Sequence, residues 1–140
     1  MKKAMERARE KIKSFREIEA DIEHIEIRLE ELEDEVLGIQ GIELKERTSN
    51  TYKITSTVEM QFDDYNKKKD ELIKEKKKLE RELRKIKVAM KVLNEEERGI
   101  IKAVLIEKRR YCFIQEKYNC SYARVKQIEM NAFKKMKKYL

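Results

Sequence analysis

A chain of 140 residues has the length of one domain, yet 45% of it is charged and 40% apolar, which argues against a compact globule and for elongated helices. Proline is absent and glycine occurs three times, so few points force a helix to stop, and the expected fold class is all-α. A net charge of +7 favours a polyanionic partner, because each cation placed near a phosphate releases condensed counterions.

Cys112 and Cys120 have neither CxxC spacing nor a companion histidine, so no zinc site or disulfide framework is predicted and no cofactor is expected. The first residues, MKKAMER, lack the apolar core of a signal peptide, and no run approaches the roughly 20 apolar residues of a membrane span. The expectation is a cytoplasmic protein with free thiols and no membrane partner.

From Met1 to Leu37 the apolar residues Met5, Ala8, Ile12, Phe15, Ile18, Ile22, Ile25, Leu29, Leu32 and Val36 keep helical spacing. From Phe15 onward the steps form a heptad seam, and the doubled step of three around Phe15 and Ile18 shifts its phase. One long helix in need of a partner is predicted, with an acidic solvent face from Glu17 to Glu35 opposed there only by Arg28.

Gly38 and Gly41 bracket a break, and residues 38–56 read as an extended connection. Ser56-Thr57-Val58-Glu59 has the capping-box form and opens a second long helix. Its seam runs Val58, Phe62, Tyr65, Lys69, Leu72, Lys76, Leu79, Leu83, Ile86, Met90 and Leu93, and the two lysines trade stability for register or oligomer state. Between Lys67 and Lys91 this helix is mainly basic and complements the acidic first one. Residues 1–93 are therefore expected to form a long antiparallel helical hairpin, a coiled coil of roughly 50 Å. The same seam can pair between chains, so a homodimer through the hairpin stays open.

Asn94 before Glu95, Glu96 and Glu97 signals a helix start, an asparagine cap with carboxylates where the dipole favours them. Ile100, Ile101, Val104 and Leu105 form the inner face of a helix ending near Glu107. Arg109 and Arg110 precede a short helix, Tyr111 to Tyr118, with Ile114 inward, and Asn119 tolerates a left-handed turn. Ser121 caps a third helix, Tyr122 to about Lys138, whose buried stripe is Val125, Ile128, Ala132 and Met136. At about 100° per residue the opposite face carries Ala123, Gln127, Met130 and Lys134, flanked by Arg124, Lys126 and Asn131. Two short helices, a tight turn and a basic helix make residues 94–140 a helix-turn-helix domain, and such a face suits the major groove of double-stranded DNA.

Within that face Gln127 can pair bidentately with adenine, and Ala123 or Met130 can meet thymine methyls. Lys126, Lys134, Arg109, Arg110 and Lys137 suit phosphates, with an inert solvated face as the alternative reading of all of them. His24 lies among acidic residues on a helix surface, and no nucleophile–base pair or glycine-rich phosphate loop points to an enzyme.

Residues 121–136, SYARVKQIEMNAFKKM, resemble region 4 of bacterial sigma-70-type factors, whose pattern is roughly S-x-x-R-V-x-Q-I-E-x-x-A-x-x-K-L. Leu93 to Ile101 is similar to the family's L-x-x-x-E-R-x-V-I opening, so the resemblance covers about residues 93 to 140. Residues 1–92 do not resemble sigma regions 2 or 3, so a complete sigma factor is not expected. The resemblance implies groove contacts from Lys126 and Gln127 and a phosphate or supporting contact from Arg124. Tyr122 and Ala123 depart from the Arg-Glu common in primary sigma factors, which removes two base-reading groups, and Gln115 stands where a small residue is usual. The architecture as a whole resembles short phage and prophage transcription activators of the RinA, ArpU and Xpf type. That resemblance implies a DNA-binding transcriptional regulator acting with bacterial RNA polymerase. The alternative is a coiled-coil adaptor docking on RNA polymerase or another protein without sequence-specific DNA binding.

Overall fold

The computed structural model describes residues 2–46 and 51–140, with side chains described for 2–38 and 58–140. Among the described residues every regular element is helical: α1 Lys2–Lys13, α2 Phe15–Glu46, α3 Thr51–Lys91, α4 Glu95–Ile101, a π-helical turn Lys102–Ile106, α5 Tyr111–Tyr118 and α6 Tyr122–Met136. The chain divides into two compact units, a hairpin of Ala20–Leu79 and a head of Met1–Glu19 with Glu80–Leu140.

In the hairpin α2 and α3 run antiparallel. Glu26 pairs with Lys76 at 3.1 Å, Leu32 and Leu72 share one gap between the helices, and Val36 and Tyr65 share another. Each position of the expected α3 seam from Val58 to Leu93 is buried or half-buried, Lys69 and Lys76 included. Lys69 solves its placement by lying 5.8 Å from the centre of the Tyr65 ring, and Lys76 by its ion pair. Ile25, 4% exposed, is the one fully buried residue among those described in this unit.

Three expectations change. The connection expected over 38–56 is largely helical, since α2 continues to Glu46 and α3 begins at Thr51. Glycine costs only about 1 kcal/mol against alanine inside a helix, and a Cβ at Gly38 would meet nothing within 4 Å, so nothing there forces a break. Ser56 is inside α3 rather than at its start; the side-chain pairing of the expected capping box lies outside the described residues.

The expected single first helix is interrupted at Ser14. Its hydroxyl donates to the Lys11 carbonyl at 2.7 Å, a local bond that competes with the helical ladder, although Ser14 N–H still reaches Glu10 O at 3.1 Å. This is where the seam shifts phase, and the boundary between the units follows between Glu19 and Ala20. Ala8 and Ile12 of α1, 2% and 0% exposed, pack against α6 and the π-helical turn. In the compact units α1 and the end of α3 thus belong with the head.

The head is built around Ile100, Ala103, Ile114, Val125 and Ile128, with Val104, Tyr111, Tyr118 and Cys120 packed against them. A Cβ on Gly99 would collide with the Tyr118 hydroxyl, so glycine lets the hydroxyl end of Tyr118 approach α4 closely. The joint between α3 and α4 is tied on both sides. Asn94 Oδ1 accepts from Glu97 N–H at 2.8 Å, and Arg98 donates to the carbonyls of Met90 and Leu93, each at 3.1 Å. These bonds satisfy helix-end groups that would otherwise need water.

Candidate nucleic-acid interface

Helix α6 starts where Ser121 Oγ accepts from Arg124 N–H at 3.2 Å. The preceding turn closes because Asn119 takes the left-handed conformation, φ 51°, as the C-cap of α5. On α6 Val125, Ile128, Ala132 and Met136 are buried, as expected, together with Phe133 and Glu129. Burying that stripe leaves the opposite face outward: Ala123, Gln127, Met130 and Lys134 are exposed, as are Arg124 and Asn131.

Along this face the structure brings Arg124 and Gln127 together, the Arg124 guanidinium donating to Gln127 Oε1 at 3.2 Å. That bond orients the amide and leaves its NH₂ outward, with a second lone pair on the oxygen still able to accept.

Lys126 and Tyr122 are arranged differently. Lys126 Nζ donates to the Tyr111 hydroxyl at 2.8 Å, lies 4.5 Å from the Tyr111 ring centre, and is 3.8 Å from Glu129 Oε2. Tyr122 packs edge-on against Tyr111, ring centres 5.2 Å apart, while remaining 52% exposed. The hydrogen bond from Lys126 to Tyr111 holds the Lys126 pKa above its ordinary value and the Glu129 charge adds to it, against a smaller opposing effect of burial.

Behind Lys126 lies Glu129, 3% exposed. It accepts from Tyr111 at 3.2 Å and from Arg9 of α1 at 3.0 Å. Four side chains from three helices thus form one network: Arg9, Glu129, Tyr111 and Lys126. Sequence reasoning missed Arg9, Tyr111 and Glu129 here. A glutamate in a basic helix reads as a surface charge, and the signals that set it apart were its match to the region 4 pattern and its place one step after the buried Ile128.

Arg109 and Arg110 lie on the connection before α5, both exposed. Arg109 is steadied by Glu107 at 3.6 Å and by the Phe113 ring, 5.2 Å to its centre. Lys135, next to the expected face, turns inward and pairs with Glu97 at 2.8 Å, linking α6 to the start of α4. Both cysteines are free. Among the described residues no helix is long and apolar enough to cross a membrane, and no group of three or more His, Cys, Asp or Glu side chains is placed to hold a metal ion.

No curated protein and no solved structure matches the chain. Residues 89–138 match the family model for Sigma-70, region 4. Those residues therefore form a sigma-70 region 4-like helix-turn-helix, a DNA-binding regulatory domain, and they take in the end of α3 and all of α4, α5 and α6.

Proposed function

We propose that this protein is a sequence-specific transcriptional regulator that places α6 in the major groove of DNA and acts with bacterial RNA polymerase in the manner of phage and prophage activators. The observation that carries the reading is the pairing of a region 4-like unit with an outward α6 face whose glutamine is oriented by its neighbouring arginine. Gln127 reads an adenine, Ala123 and Met130 lie against thymine methyls, and Tyr122 with Asn131 borders the groove. Lys134, Arg109, Arg110, Arg124 and Lys126 meet phosphates, the last once it exchanges Tyr111 for the duplex. The absence of the Arg-Glu pair at Tyr122 and Ala123 points to a target other than a standard −35 element.

The hairpin joins two copies. Its seam is half-buried along most of its length, and Ile27, Leu37 and Met60 stand 52%, 64% and 68% exposed, surface that a second hairpin would cover.

Selection of bound duplexes from random sequence tests the DNA reading and yields the site. On that site Gln127→Ala is expected to relax preference at one base pair, a change of about 1 to 3 kcal/mol in discrimination. Lys134→Ala is expected to weaken binding to all duplexes alike and to lower the salt slope by about 1. Binding that neither substitution alters would remove α6 from the interface.

A further inference from the structure

Helix α1 lies outside the residues that match region 4. It carries six basic residues against two acidic ones, with no acid in its first turn. Three of the cations are engaged within the head. Arg9 pairs with Glu129, Lys11 donates to the Leu140 carbonyl, and Lys13 pairs with Glu10. Lys2, Lys3 and Arg7 are exposed, and no acidic partner for them occurs among the described residues.

Cations in the first turns oppose the helix dipole, and Lys3 and Arg7 repel one another at i and i+4, a cost that Glu6, four residues after Lys2, offsets only in part. The apolar stripe of α1 does not explain them, since Ala8 and Ile12 are already buried against the head. A polyanion beside this end of α1 would turn each of these costs into a gain.

The position of α1 supplies the polyanion. Met5, Glu6 and Arg9 line a cleft of about 160 Å³ shared with Lys126 and Met130 on α6. Further along, Lys11 reaches Leu140 beyond the end of α6. The two helices thus run side by side in the same direction, and the first turn of α1 lies toward the half of α6 that enters the groove.

We propose that α1 is a second DNA-contacting element, in which Lys2, Lys3 and Arg7 bind the phosphate backbone flanking the groove read by α6. The proposal rests on the DNA-binding reading of α6. The two cations of the first turn meet the nearer phosphates, and Arg7, one turn on, forks onto a neighbouring one.

The test measures affinity of the full chain for a duplex obtained by selection, as a function of salt concentration. A Lys2→Gln/Lys3→Gln/Arg7→Gln variant is compared with a Lys74→Gln/Lys77→Gln/Lys78→Gln variant that removes the same charge from exposed positions of α3. Each lost phosphate contact lowers the slope of log affinity against log salt by about 0.9. The α1 variant is expected to lose up to roughly 2.7 of the slope on that basis, with the α3 variant close to the native chain. A Lys2→Arg/Lys3→Arg variant keeps the native slope. An unchanged slope in the α1 variant, or equal losses in both triple variants, overturns the assignment of α1 while leaving α6 as the reader. Failure of the unaltered chain to bind any duplex overturns both.

Discussion

Lys126 belongs to two environments at once, the exposed surface of α6 and the Tyr111–Glu129 network beneath it. Because its pKa is raised, what its charge contributes is fully present below the ordinary lysine value and is lost only as pH climbs through the higher folded value. Between about pH 6 and 9 Lys126 therefore stays charged. Lys126→Arg, permanently charged, should show the same pH profile of DNA binding as the native chain over that range, and a divergence between the two would mean that Lys126 loses its charge there. Gly99 gives a second residue-scale prediction. Alanine there gains helix propensity but must push aside the Tyr118 ring that packs on the head core. Overpacking of this kind costs about 1 to 3 kcal/mol, so thermal unfolding should show Gly99→Ala destabilised despite its better propensity.

At the scale of elements, the periodic stripes and the helix caps were readable in the residues, and the docking of one helix on another was not. Every expected seam position of α3, the Asn94 and Ser121 caps and the left-handed Asn119 follow from spacing and cap chemistry that act over a few residues. Of the α6 face, the outward set from Ala123 to Lys134 was legible for the same reason. The docking of α1 was not. A stripe of apolar residues tells a helix to bury one face without telling it against what, and Arg9 finds Glu129 120 residues away. The interruption at Ser14 shows in the phase of the seam, but the change of unit between Glu19 and Ala20 depends on packing. Arg9→Ala leaves a buried carboxylate short of one donor, which costs about 1 to 3 kcal/mol. Hydrogen exchange should accordingly become faster in α1, with α5 little affected; uniform protection would mean that Glu129 is satisfied by Tyr111 and Lys126 alone.

For the whole molecule, the contrast between the units is the informative quantity. The head buries most of its apolar stripes, whereas among the described residues the hairpin fully buries only Ile25. Two helices in isolation form a seam, and four are needed to enclose one. Sedimentation equilibrium is expected to give twice the mass of a 17.0 kDa chain at micromolar concentration. Changing Leu72, half-buried in the seam, to Lys should shift the protein toward the monomer with the head still folded. A monomer in the unaltered chain would remove the paired hairpin.

Arg9 and Glu129 also impose an order on folding. The hairpin Ala20–Leu79 interrupts the head between Glu19 and Glu80, so α1 reaches α6 only after a long loop has closed. Closure entropy grows slowly with loop length, and hairpin contacts shorten the effective loop by bringing Glu19 and Glu80 close before the head assembles. The local hairpin is therefore expected to form before the head, because sequence-distant contacts are slow to make. A ribosome delivers the π-helical turn before α6, so α1 has part of its partner surface first and the Arg9–Glu129 pair only once α6 follows.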